Sequence, residues 1–268
     1  MNVDLHNHLG PNGTNPGFDE TIDIAYSRLG DGGIFGICND GPDDSRYEKF
    51  VNQKPEKYER IFTDDFKKYV YVPQKRISIV KVEEVEPREG HFLAVGMPSI
   101  KRIWKNKNPP SLEDALKSAE DFDAIKIIVH PFSRDGLGEY LNENFPLLEE
   151  FDAWEVYNAS AELLIPGLLP KNANKKAQDY YKNFIDQNTP LGSFSSIGAC
   201  AFTDGHSAEV IGTSYTKIKD NGGLFLLMLK SGIKQNKNFD NLYMQPAKKD
   251  ALKHCYHMAK QIAFKILA

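Results

Sequence analysis

Asp4-Leu5-His6-Asn7-His8 places two imidazoles and a carboxylate close together near the start of the chain. Successive side chains of an extended segment point to opposite sides, so positions 4, 6 and 8 are expected on one face. A strand that holds such groups in a fixed direction is what a divalent cation requires of a scaffold. One His-x-His carries little weight by itself. It gains weight here from Glu84, His91, His130, Asp204 and His206 further along.

Outward from that stretch, short apolar, β-branched segments recur at 33–38, 76–82, 91–95, 124–129, 153–156 and 195–202. Helical patterns lie between several of them. Ile22, Ala25, Tyr26 and Leu29 share a helix face within 21–29, and Gly30 reads as its terminator. Ser111 and Asp114 resemble a capping box ahead of Leu112, Ala115, Leu116 and Ala119. Pro246 opens a long C-terminal helix over about 246–268. The alternation predicts an α/β fold with βα units around a parallel sheet, in a single domain over residues 1–268. The ligand-type residues close the expected strands: Asp40, Glu84, His130, and the Asp204/His206 pair. In α/β barrels that C-terminal rim is where active sites are assembled. The longer connections 41–75 and 160–189 read as loops that wall or cover the mouth.

Composition narrows the function classes. The 268 residues are 41% hydrophobic and 26% charged, and no apolar run approaches the ~20 residues of a membrane span. The candidate ligands begin at residue 4, which leaves no room for a signal peptide. Cys38, Cys200 and Cys255 are odd in number and lack Cys-x-x-Cys spacing, which argues for a reducing, cytoplasmic setting and against a thiolate zinc site. A net charge of −4 gives no general pull toward nucleic acid. The lysine-rich stretch from Lys230 to Lys265 reads as a solvated helix face, and so do His254 and His257.

Taken in order, the motifs resemble the PHP (polymerase and histidinol phosphatase) metallohydrolases. They are Asp4-Leu5-His6-Asn7-His8, Glu83-Glu84-Val85 with Gly90-His91-Phe92-Leu93, and His130-Pro131-Phe132, then Thr203-Asp204-Gly205-His206-Ser207 ending in Gly212. Trp154-Glu155-Val156-Tyr157-Asn158 is similar to a further segment of that family. The resemblance implies a distorted seven-stranded (β/α) barrel with two to three divalent metal ions, Zn, Mn or Fe, at the C-terminal rim of the strands. It implies hydrolysis, most often of phosphate esters, by a metal-bound hydroxide. Residue by residue, it implies one ion on His6, His8, Glu84 and Asp204, with Glu84 bridging to a second on His91 and His130. His206, with Asp40, would face a third. Asp4 would accept a hydrogen bond from one of the two first histidines and fix its tautomer, and Glu155 and Asn158 would stand behind the ligands. Glu83 competes with Glu84 for the bridging role, and the spacing to Gly90-His91 favours Glu84. The chain departs from the family at Pro11-Asn12-Gly13 and Cys38-Asn39-Asp40, where neutral asparagines stand in place of Asp or His. Those departures weaken the third position. Arg134 is placed to reach an anionic substrate, and Lys171, Lys175 and Lys176 join it if their loop covers the mouth.

The expected activity is that of a metal-dependent phosphoesterase acting on a small phosphorylated substrate. Nucleotide or nucleic acid is the next partner class, and no membrane partner is expected. Two other readings stand beside it: a hydrolase of the amidohydrolase type or of non-phosphate esters, and a catalytically silent metal-binding module.

Overall fold

The computed structural model describes residues 1–9, 17–41, 43–63, 68–99, 108–163, 172–186, 197–237 and 239–244. The helix expected over 246–268, with Cys255, His254 and His257, lies outside the described residues, as do Asn12 and Lys171.

The chain opens with β1 (Asn2–Asp4), α1 (Phe18–Leu29) and β2 (Ile34–Asp40). Helix α1 buries Ile22, Ala25 and Leu29 and stops where Gly30, at φ 75°, returns its N–H to the carbonyl of Tyr26. Next come α2 (Arg46–Val51), β3 (Ile61–Phe62), β4 (Tyr69–Val72), β5 (Ile77–Val85) and β6 (Phe92–Val95). Then follow α3 (Leu112–Asp121), β7 (Ile125–Ile128), α4 (Gly138–Glu143), β8 (Ala153–Asn158), α5 (Ser160–Leu163), α6 (Ala173–Tyr180) and β9 (Gly198–Phe202). The last described elements are β10 (Ser214–Lys217), α7 (Phe225–Lys234) and β11 (Leu242–Met244). Ser111 caps α3 as its sequence suggests, accepting the N–H of Asp114 at 3.2 Å.

Nine strands follow one another in the order β11-β10-β1-β2-β5-β6-β7-β8-β9, with β4 pairing on β5 and β3 on β4. The result is a mixed α/β fold around a nearly closed, barrel-like sheet. The expected parallel pairing holds for β1–β2, β2–β5, β7–β8 and β8–β9. It is corrected elsewhere, because β6 runs antiparallel to both β5 and β7, and β10 runs antiparallel to β1. Residues 86–91 are the whole connection from β5 to β6, too few for the crossover of about a dozen that parallel pairing needs. The chain therefore turns back as a hairpin. That reversal puts the start of β6 on the same rim as the end of β5. The 41–75 connection is also more than a loop, since it holds α2 and the β3–β4 pair. β4 pairs with the first half of β5 and β6 with the second, along the edge opposite β2. The 160–189 connection likewise carries α5 and α6.

Closure between β9 and β10 is made by hydroxyl groups. Thr216 Oγ1 accepts from the Ala201 N–H at 2.9 Å and donates to the Ala201 carbonyl at 3.2 Å, and Thr203 Oγ1 does the same toward Ser214. Above this seam the chain beyond β1 pairs with the chain beyond β9, His8 N–H to Gly205 O at 2.6 Å and Gly205 N–H to His6 O at 3.0 Å. Val3 and Leu5 join Val80, Val82, Ile127 and Phe202 in the apolar filling of the barrel, with Leu229 and Ile233 of α7 packed against them. Phe35, Ile37, Ile77 and Ile79 form a separate core with α1 and α2. No helix of the described residues is long and apolar enough to cross a membrane.

Candidate metal centre

Six of the expected ligands meet at the rim above that apolar filling. Glu84, near the end of β5, lies at the middle. Its Oε1 is 3.3 Å from His130 Nε2, 3.4 Å from His91 Nδ1 and 3.7 Å from His6 Nε2, and its Oε2 is 3.4 Å from His8 Nε2. Asp204 Oδ1 lies 3.5 Å from His6 Nε2 and 3.4 Å from His8 Nε2. Two ligand atoms each ~2.1 Å from one cation, at a tetrahedral angle, stand ~3.4 Å apart. The separations match that spacing, and most exceed an ordinary hydrogen bond. Glu83 faces the other way, accepting from Asn39 Nδ2 at 3.2 Å and pairing with Lys81 at 3.3 Å.

His6 tests whether these residues fit a metal. Its ring is fully buried, and neither nitrogen has a hydrogen-bond partner. Each orphaned polar atom costs about 1–3 kcal/mol. A cation on Nε2 relieves one of them, and Glu155 Oε1, itself unsatisfied, waits 3.8 Å from Nδ1 on the other side. Groups such as Glu84–His91–His130, His6–His130–Asp204 and His8–Asp204–His206 bring their ligand atoms within 4.8 Å of one another and could hold a metal ion.

The electrostatics agree with that fit. Burial alone would lower the imidazoles, but Asp204, Glu155 and Glu84 hold His6 well above its usual range, and Asp40 and Glu84 bring His8 to about 9. Burial would raise the carboxyls, yet the charge of His8 holds Glu84 well below the usual range and that of His6 does so for Asp204. The cluster draws in protons to balance its carboxylates, and a divalent cation supplies the same balance in their place.

A second layer fixes the first. Glu155 Oε2 accepts the backbone N–H of His130, and Asn158 Nδ2 donates to Glu155 Oε2 at 3.3 Å and to Asp204 Oδ2 at 3.2 Å. Ser133 Oγ lies 2.9 Å from His130 Nδ1. These contacts hold two strained residues, because His130 and Asp204 sit at φ 30° and 54°. Left-handed backbone at a non-glycine residue costs about 1 kcal/mol or more and collects at functional sites.

Several expected positions behave differently. Asp4 does not touch the histidines; its buried carboxylate accepts the N–H groups of Thr203 at 3.0 Å and Gly212 at 2.8 Å. Burial pushes its pKa up to about 6 even so. The alternation holds for Val3 and Leu5, which face the barrel filling, and His6 and His8 converge as expected, while the Asp4 carboxylate is taken up by the N–H groups of Thr203 and Gly212. The tautomer-fixing role expected of Asp4 falls to Asp40, whose Oδ1 lies 2.8 Å from His8 Nδ1. Asp40 and His206 do not fall into one ligand group among the described residues, and His206 Nδ1 instead lies 3.0 Å from the Asp204 carbonyl. Asn39 points away from the cluster, donating to Glu48 at 3.1 Å as well as to Glu83. Cys38, set aside on cysteine number and spacing, groups with His6 and His8, although burial first, and the nearby carboxylates next, keep its thiol pKa well above the usual range. Arg134 is exposed on the wall of a cleft of about 220 Å³ that also takes in Ser133, Glu86 and Asp135. Lys175 and Lys176 pair with Asp179 and Glu139 outside that cleft.

Sequence reading missed Arg46, which is buried beneath Asp40 and paired with it. Asp44, just ahead of α2, braces this start of the helix: its Oδ1 accepts the N–H groups of Ser45 at 2.6 Å and Arg46 at 3.1 Å.

No protein-family model matches the sequence, and no curated protein matches it. Among solved structures, the chain is similar in fold to the crystal structure of PsfC from Pseudomonas syringae PB-5123. The TM-score is 0.61 at 12% identity, over 97% of this chain and 98% of that one.

Proposed function

We propose that this chain is a divalent-metal phosphoesterase of the PHP type. The observation that carries the proposal is the spacing around Glu84 and Asp204, where five imidazole–carboxylate separations fall between 3.3 and 3.5 Å. Set the β10–β11 pair aside, and β1, β2 and β5 to β9 remain on the sheet path. Seven strands is the number the resemblance implies, and β10 and β11 are additions to it on this reading.

Two ions fit the donor set, one among His6, His8, Glu84 and Asp204 and one among Glu84, His91 and His130. Imidazole and carboxylate donors suit Zn²⁺, Mn²⁺ or Fe²⁺. Bound there, such ions supply Lewis acidity toward a phosphoryl oxygen and a water acidified to near neutrality. The chain supplies the rest. Glu84 and Asp204 fix the spacing, Asp40 and Glu155 orient the imidazoles, and Arg134 stands at the mouth to meet an anionic group. A cleft of about 220 Å³ suits a small phosphorylated head group.

The test is metal analysis of purified protein, then a panel of phosphomonoesters and phosphodiesters with chelator and with Mn²⁺ or Zn²⁺ restored. Hydrolysis that vanishes with chelator and returns with metal is expected. Absence of stoichiometric metal after reconstitution would sink the proposal. Cleavage of carboxylic esters or amides alone would replace it with the amidohydrolase reading, and metal without any hydrolysis would leave a silent binding module.

A further inference from the structure

Both oxygens of Asp40 are already engaged. Oδ1 accepts from His8 Nδ1 at 2.8 Å, and Oδ2 accepts from Arg46 Nη1. Arg46 is buried, and its guanidinium keeps its proton under all ordinary conditions. It is anchored from behind, because Nε pairs with Asp44 Oδ2 at 3.1 Å. Asp44 is fixed in turn by accepting the N–H groups of Asp40, Ser45 and Arg46. A permanent cation is thus built in where the sequence placed a ligand of a third metal.

We infer that Arg46 stands in for that third cation: it binds Asp40 as the partner of His8 Nδ1, withholds it from coordination, and closes the centre at two ions. Asp40 groups with His8 and Glu84 by distance, but it meets His8 through Nδ1, while Nε2 is the nitrogen that faces Glu84 and Asp204. A hydrogen on Nδ1 directed at Asp40 leaves the Nε2 lone pair for the ion. Asp40 and Arg46 are therefore positioning residues. Arg46 Nη1 also approaches His8 Nδ1 to 3.2 Å, donor toward donor, with the Asp40 carboxylate balancing both. A divalent ion at Asp40 would have to displace the guanidinium or bear its repulsion.

The inference rests on the two-ion reading above, and ion counting separates the two. The full chain and its Asp40→Asn, Arg46→Met and Arg46→Lys variants are stripped, dialysed against Mn²⁺ and counted by elemental analysis, with circular dichroism as the fold control. Wild type is expected to hold two ions. Asp40→Asn should still hold two, with affinity weakened about ten- to a hundredfold through the loosened His8. Arg46→Met should take up a third at Mn²⁺ concentrations where wild type stays at two, and Arg46→Lys should return to two. An ion lost in Asp40→Asn, three ions in wild type, or a folded Arg46→Met that stays at two would each overturn the inference. If Arg46→Met does not fold, the Asp40→Asn count decides. Wild type with no ions would remove the underlying reading and this inference together.

Discussion

Asp4 and Glu84 show how differently two buried carboxylates of one rim are used. Glu84 is surrounded by four imidazoles at 3.3 to 3.7 Å, while Asp4 meets backbone N–H groups. Their substitutions should therefore separate. On the proposed reading, Glu84→Gln is expected to abolish stoichiometric metal and activity, and to lower the stability of the metal-free protein as well, since it removes the carboxylate whose pKa the surrounding imidazoles hold low. Asp4→Ala is expected to cost about 2–4 kcal/mol by orphaning two buried N–H groups, while the folded fraction keeps its metal. Urea melts beside metal counts distinguish the two, and metal loss in a fully stable Asp4→Ala would return Asp4 to the ligand shell. The sequence made the ligand types legible because His, Asp and Glu at strand ends have few other reasons to cluster. The partners of those ligands stayed hidden. Whether a histidine leans on Asp4 or Asp40 depends on the N–H groups of Thr203 and Gly212, far along the chain, and Arg46 reaches the site from a helix that the sequence around it disguised.

Among the elements, the positions of the six expected strands were readable, and so was their parallel direction except at β6. Apolar β-branched runs mark β2, β5, β7, β8 and β9 to within a few residues, because burial on both faces demands such runs. The reversal of β6 follows from loop length, a weaker signal than periodicity. Tyr69-Val70-Tyr71-Val72 alternates half-buried and buried residues, yet Pro, Asn and Lys nearby gave it a loop-like setting. Element packing also makes a sharp demand at Gly198, the first residue of β9. A Cβ there would lie 1.9 Å from the carbonyl oxygen of Ile233, so the end of α7 rests directly on the strand backbone. Gly198→Ala is expected to destabilise by about 3 kcal/mol, at the upper end of overpacking costs. A thermal melt within 1 °C of wild type would show that α7 is not seated there.

For the molecule as a whole, the centre couples stability to pH in opposite senses with and without metal. His8 folds with a pKa of about 9, above its ordinary value of 6.5. In metal-free protein its contribution is fully present below 6.5 and lost as pH rises through 9. Glu84 and Asp204 are held low, so their contribution is present above the ordinary carboxyl range and lost as pH falls through their depressed values. Ions compete with the imidazole protons, so loading strengthens as pH rises. Between pH 6.5 and 9 the melting temperature of chelated protein is therefore expected to fall, while the increment gained on adding Mn²⁺ grows. An increment independent of pH would mean that the ion binds no imidazole. The hydroxyl-bridged seam between β9 and β10 gives that coupling a further meaning. The chains that carry His6, His8 and Asp204 pair above the seam, His8 with Gly205 and Gly205 with His6. An ion held among these side chains would clasp the top of a join that, among the described residues, hydroxyl groups close below. Unclasped, the join can part into two strand edges with unpaired backbone groups, each a template for pairing with another chain. On the proposed reading, losing the metal would then be as much a question of aggregation as of chemistry.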